Sequence, residues 1–292
     1  MTSTPLRRTS IGGRRPEIEA DILTHLDDGV LTVTLNRPDS LNGLTVSMTR
    51  MLNDRLREAA ASPEVRVVVL TGAGRAFCAG GDIKSFKSID ENDPLWVRFQ
   101  DDPIWNDIDS AAERTRGNSE GPLLLHRMPK PTIAMLRGAC AGASMALAGA
   151  CDFRIASDTT FFTTAFARIG VSGELGASYY ITRLVGVAKA RELFFFADRV
   201  PAAEALSIGL VNKVVPDDEL QAEVTRFARR LADGPPLALR YIKANLNAAE
   251  TAIAEDVVAM EAFHQARSIR SADAKEAISA FLAKRTPTFT GR

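Results

Sequence analysis

Five absences narrow what this 292-residue chain does. It has only three cysteines, Cys78, Cys140 and Cys151, and no C-x-x-C pair. An odd count without a secretory pattern points to reduced thiols in a cytoplasmic compartment, not to a disulfide framework. Its three histidines, His25, His126 and His264, lie far apart and lack ligand spacing, so no metal is expected. No apolar run reaches the roughly 18 residues that would span a bilayer, so a membrane is not an expected partner. Net charge is also lacking: 36 basic residues face 36 acidic ones. That argues against nucleic acid, which needs a basic surface. The nucleotide loops fail as well. Gly72-Ala73-Gly74-Arg75-Ala76 is followed by Phe77 where a dinucleotide fingerprint needs glycine or alanine, and no G-K-S or G-K-T is present.

What is there is apolar material, 46% of residues, enough for a substantial core. Residues 1–16 are rich in Thr, Ser, Gly and Arg and contain no acid. Their composition suits a transit peptide, but they lack an apolar helical face, and a disordered tail is expected. Ile18–Leu23 and Val30–Leu35 have strand character around the turn signal Asp27-Asp28-Gly29. Thr45 caps a predicted helix to about Ala61, and Val65–Leu70 reads as a buried strand. A polar stretch over about 88–120 carries many acids with Trp96 and Trp105 interleaved; solvated loop and pocket lid both remain open. Further on, Pro122–Met128 is helical, Thr132–Leu136 and Asp152–Ser157 are strands, and Gly142–Ala150 is a helix of small residues. A helix begins at Pro201 or Ala202, and Ile208–Val215 is a short strand. From Asp217 only helices are predicted, broken at Gly234-Pro235-Pro236 and at Ala272-Asp273. The fold class is α/β: a core over 17–215 with the polar insertion, then a helical region over 216–292.

Two small-residue stretches stand out, TGAGRAFCAGGDI at 71–83 and RGACAGASMALAGACD at 137–152. The first follows a strand and reads as a tight turn leading to a helix near Asp82. Glycine at 80 and 81 lets a ligand approach the backbone. Both stretches are expected to offer backbone N–H groups to one site.

AFCAGGDI (76–83) resembles the signature of the crotonase superfamily, also called the enoyl-CoA hydratase/isomerase family. NRPDSLNGL (36–44), KPTIAMLRGACAGASMALAGACDFRIAS (130–157), RLVGVAKARELFF (183–195), AAEALSIGLVNKVVPDDEL (202–220) and KEAISAFLAKRTPTF (275–289) resemble other parts of it, in family order. The tail and much of 88–120 fall outside. The resemblance implies a spiral of ββα units with a helical C-terminal trimerisation region, assembled as a homotrimer or a dimer of trimers. It implies an acyl-CoA substrate, with coenzyme A part of the substrate and no separate cofactor. The thioester oxygen would be held by the N–H groups of Gly81 and Ala143, both expected at helix starts. Coenzyme A contacts carry over to Arg37, Gly43, Arg75, Ala79, Asp82 and Ile83, with Phe281 and Lys284 reaching in from a neighbouring subunit.

The reaction is less determined. Hydratases of this family hold water between two glutamates, and this chain has Ala146 and Phe166 at those places. IGVSGELGASYY (169–180) resembles one branch of Δ3,Δ2-enoyl-CoA isomerases, which carry an acid four residues after the glycine matched by Gly170. Here that acid is Glu174, and a single base suits isomerisation. Apolar neighbours are expected to raise its pKa. Its bland role is a charge at a helix N-terminus. Hydration remains a competitor, and a binding or scaffold protein without turnover is the alternative outside enzymes. Asp109, Glu113 and Glu120 are candidates for a missing acidic partner. Cys78, Cys140 and Ser144 read as small core residues more readily than as nucleophiles, and His126 reads as structural.

Overall fold

The computed structural model describes residues 20–82 and 107–292. Ile83, Trp96, Trp105 and the N-terminal tail before residue 20 lie outside the described residues, as does the expected helix after Asp82.

The chain opens with a hairpin, β1 (Ile22–Asp27) and β2 (Val30–Leu35). Asp28 and Gly29 make the turn at φ of 43° and 84°. Two residues with positive φ suffice to reverse a twisted hairpin. That is why β1 runs up to Asp27, several residues beyond the predicted Ile18–Leu23. Helix α1 (Val46–Ala61) starts where Thr45 Oγ1 accepts the Met48 N–H at 3.1 Å. Its buried face is Met48, Leu52, Leu56 and Ala59.

Strand β3 (Val67–Gly72) pairs in parallel with β2 and carries its pairing into the glycine stretch, Leu35 opposite Gly72. Next come α2 (Ile108–Asn118), α3 (Glu120–Arg127), β4 (Thr132–Leu136), β5 (Ala139–Ala141), α4 (Ala143–Ala150), β6 (Phe153–Ser157) and β7 (Phe161–Thr163). Then follow α5 (Ala177–Phe196), β8 (Val200–Pro201), α6 (Ala202–Ser207) and β9 (Lys213–Val215). The last strand is shorter than the predicted Ile208–Val215, because Gly209 turns the chain at φ 76° first. Helices α7 (Leu220–Ala232), α8 (Pro236–Ala249), α9 (Ala254–Ser268) and α10 (Ala272–Leu282) complete the chain.

Among the described residues the strands form two sheets. The larger has the order β1-β2-β3-β4-β6-β9 and is parallel beyond its hairpin. The smaller has the order β5-β7-β8. Strands alternate sides, so β3 and β4 feed two cores. Val68, Leu70, Ala134 and Leu136 join α1 and α4 in one cluster. Val67, Val69, Ile133 and Met135 meet Leu220, Val224, Ala228 and Ala232 of α7 in the other.

The C-terminal helices attach through a buried ion pair. Lys243 of α8 donates to Asp152 Oδ2 at 2.8 Å and to the Leu125 and Lys130 carbonyls. The same Asp152 oxygen accepts the Thr132 N–H at 2.7 Å, so the pair also ties β4 to the end of α4. Beyond that anchor α8 to α10 bury few large apolar side chains. Leu246, Phe263, Phe281 and Leu282 are each 60% or more exposed.

Candidate functional site

The two small-residue stretches lie against each other. Cys78 and Cys140 form a parallel bridge, with the Cys78 N–H on Ala139 O at 2.9 Å and the Ala141 N–H on Cys78 O at 3.1 Å. Ser144 fastens them: its hydroxyl accepts the Ala141 N–H at 2.8 Å and lies 2.8 Å from the Cys78 carbonyl oxygen. Glycine at 80 is required by this approach. A Cβ there would stand 2.8 Å from Ala141 O and 3.6 Å from Ala143 N, at a φ of 96°.

Gly81 itself sits in a parallel bridge with Leu44. The Leu44 N–H donates to Gly80 O at 2.8 Å, and the Asp82 N–H donates to Leu44 O at 3.0 Å. Successive peptide groups of an extended chain point opposite ways, so the Gly81 N–H faces away from Leu44. Its donor is aimed by a strand bridge, and the helix expected to follow it lies outside the described residues. Ala143 is the first residue of α4, and its N–H is one of the unpaired donors of that helix. Among the described residues neither N–H has an acceptor.

A rim of predicted residues surrounds Gly81. Arg37 Nη1 donates to Gly43 O at 2.6 Å and to Asp82 Oδ2 at 3.0 Å. Ala79 is exposed, and its N–H is held by Leu41 O at 2.9 Å. Arg75 is exposed on the same turn. Phe281 and Lys284 are exposed at the end of α10. No hydrogen bond or ion pair ties either to this rim among the described residues.

One organising residue escaped the sequence reading. Asn42 is fully buried at φ 56°, and its Nδ2 lies 2.9, 2.7 and 3.2 Å from the carbonyls of Ala73, Ala76 and Phe77. Its Oδ1 accepts the Arg37 N–H at 2.9 Å. Asn42 thus shapes the turn that presents Gly81. The signal in the sequence was an asparagine before glycine, a combination that tolerates positive φ.

Glu174 lies in a loop between the 3₁₀ turn at Ala167–Ile169 and α5. Phe166 connects this loop to α4. Its ring carbons lie 3.9 Å from where a Cβ would stand on Gly142 and 3.5 Å from the same point on Gly173. One aromatic ring therefore separates the residue before Ala143 from the residue before Glu174. Glu174 is partly buried and has no side-chain partner among the described residues. Burial raises its pKa above the ordinary glutamate value.

The other carboxylate candidates are engaged elsewhere or remote. Glu120 pairs with Arg57, Glu113 pairs with Arg116, and Asp109 is exposed in the first turn of α2. Ala146 and Phe166 are buried. Burial pushes the Cys78 and Cys151 thiols up to about 12 and raises the Cys140 thiol too, so none is a ready nucleophile.

The profile of a family described as Enoyl-CoA hydratase/isomerase matches residues 25–292. The chain belongs to this family. The 1,2-epoxyphenylacetyl-CoA isomerase of Escherichia coli is 35% identical over 273 residues, 93% of this chain and 98% of that one. The trans-2-decenoyl-[acyl-carrier-protein] isomerase of Streptococcus mutans is 29% identical over 272 residues, 93% and 98% of the two chains. A crystal structure of an enoyl-CoA hydratase from a Polaromonas species superposes with a TM-score of 0.81 at 31% identity, covering 92% of this chain and 99% of that one. This α/β chain with its helical C-terminal region thus has the crotonase fold, and the family is one of lyases and isomerases. Among the described residues no helix is long and apolar enough to cross a membrane.

Proposed function

We propose that this enzyme moves a double bond in an enoyl thioester of coenzyme A, from the 3 to the 2 position, with Glu174 as the base. The observation that carries this reading is a lone, desolvated carboxylate on a loop that the Phe166 ring separates from the start of α4, where the Ala143 N–H is unpaired. Glu174 takes a proton from carbon 2. The resulting dienolate oxygen is held by the Gly81 and Ala143 N–H groups, which lack competing acceptors, and α4 adds its dipole. The same carboxyl then returns the proton to carbon 4. One group that alternates between base and acid completes the shift without a held water.

Hydration is the less favoured reading, because buried Ala146 and Phe166 leave no glutamate pair to orient water. Two relatives named as isomerases lend support. Arg37, Gly43, Arg75, Ala79, Asp82 and Ile83 are assigned to the coenzyme, which enters as part of the substrate. The exposed apolar surface of α8 to α10 supports assembly as trimers, through which Phe281 and Lys284 reach a neighbour's coenzyme. A monomer in sedimentation equilibrium would overturn that assembly. Three buried reduced thiols support a cytoplasmic setting.

The test is an assay of 3-enoyl-CoA against crotonyl-CoA with wild type and Glu174→Gln. Isomerisation is expected in wild type, and the variant is expected to lose about 10²–10⁴-fold in rate. Undiminished isomerisation in the variant removes Glu174 from the mechanism.

A further inference from the structure

No hydrogen bond or ion pair holds the Glu174 side chain among the described residues. Its place is set by the backbone on either side, and both sides are unusual. The Glu174 carbonyl accepts the Ala177 N–H at 3.0 Å, with Leu175 at φ 58° and Gly176 at φ 79° between them. Two central residues of positive φ make this a type I′ turn that begins at Glu174. Gly176 adopts such a backbone freely, but a bulky side chain such as that of Leu175 rarely does. On the other side, Gly173 stands at φ 106° against the ring of Phe166. Phe166 follows a second strained turn. Its N–H donates to Thr164 O at 2.7 Å across Ala165 at φ 57°, the rare form of γ-turn.

Strained backbone persists only where its surroundings over-determine it. At Leu175 the surroundings are the core. Leu175 is 6% exposed and belongs to the main apolar cluster with Phe166, Tyr180 and Leu193. The next position is closed as well, since a Cβ on Gly176 would stand 3.1 Å from Cε2 of buried Tyr180. A glycine at 175 would suit the turn better and would leave it with no side chain in the core. The leucine gives up backbone ease for an anchor, and the residue next to that anchor is Glu174.

We propose that Leu175 is a positioning residue: its buried side chain locks the turn that fixes where the Glu174 carboxyl stands and keeps water from it. The proposal rests on the reading of Glu174 as the base. Burial raises the Glu174 pKa, and no charged group among the described residues contributes to the shift. A loosened turn that admits water therefore lowers it toward the ordinary glutamate value.

The experiment compares wild type, Leu175→Gly and Leu175→Met. It reads kcat, KM and the pH profile with 3-enoyl-CoA, and it follows the Glu174 carboxyl titration by NMR, assigned by its loss in Glu174→Gln. Leu175→Gly is expected to lose about 10- to 100-fold in kcat, the scale of a misplaced catalytic group, with little change in KM. Its acid limb and its Glu174 titration are expected to move down together toward ordinary glutamate. Leu175→Met, of similar volume, is expected to keep the wild-type values. Glycine removes the backbone strain along with the side chain, which helps this truncation keep its fold. If it does not fold, Leu175→Ala carries the same expectations. A folded truncation with wild-type kcat and an unshifted titration overturns the proposal and leaves Glu174 as the base. Isomerisation that survives in Glu174→Gln overturns the reading on which the proposal rests.

Discussion

Phe166 meets Gly173 across a 3.5 Å gap between its ring and the point where a Cβ would stand. The opposite side of the ring packs near Gly142, and Phe194 stacks on it with centroids 6.1 Å apart. The place where a hydratase of this family holds a glutamate is here a spacer. It sets how far the Glu174 loop stands from the start of α4. Phe166→Ala is expected to cost about 3–5 kcal/mol of stability through the cavity it leaves. It is also expected to lower kcat more than it raises KM, because the base loses its position. Denaturant midpoints and steady-state kinetics measure the two effects.

Glu174 must be ionised to take a proton, and burial has raised its pKa. The acid limb of kcat/KM for isomerisation is therefore expected above the ordinary glutamate value. Activity should fall as pH drops through the raised pKa. The stability effect has the opposite sense. A carboxyl whose folded pKa exceeds its unfolded pKa destabilises the fold as pH rises from the unfolded to the folded value, and fully above it. Glu174→Gln should melt higher than wild type at neutral pH and abolish the acid limb. A variant that melts lower contradicts the desolvated carboxylate.

Asn42 donates into a cluster of three carbonyls, two of them shared with the turn before Gly81. Asn42→Ala leaves those carbonyls without that donor, at a cost of about 1–3 kcal/mol. The turn also loses the contact that shapes it. A large loss of kcat in protein that remains folded by circular dichroism is expected. Unchanged kcat would mean that the turn holds its shape without Asn42.

Lys243 and Asp152 pair where Lys243 is 7% exposed. Lys243→Met strands a carboxylate in a poorly solvated place, at a cost of about 3–5 kcal/mol. The paired change Lys243→Met with Asp152→Asn should recover part of that loss. Urea midpoints of the three variants test this, and full additivity of the single changes would refute the pairing.

Much of the fold follows from local pattern. Thr45 as a cap, β4 at Thr132–Leu136 and the small-residue helix after Gly142 were legible because capping chemistry and side-chain periodicity are local properties. The short strands β5, β7 and β8 were not, since three residues or fewer carry too little period. Within the site, the glycines, the apolar replacements Ala146 and Phe166, and the solitary Glu174 were visible in sequence because they are residue identities at matched places.

Sequence alone thus determined the family, the candidate donors and the list of missing acids. Only the tertiary structure decided how they meet. It joined Arg37 to Asp82 across forty-five positions and put Gly81 on a bridge to Leu44. It set the ring of Phe166 between α4 and the Glu174 loop, and it buried the Leu175 side chain in the main core. Each of these depends on residues distant in sequence brought within a few ångströms. Such contacts follow from packing the whole chain, and no local pattern specifies them.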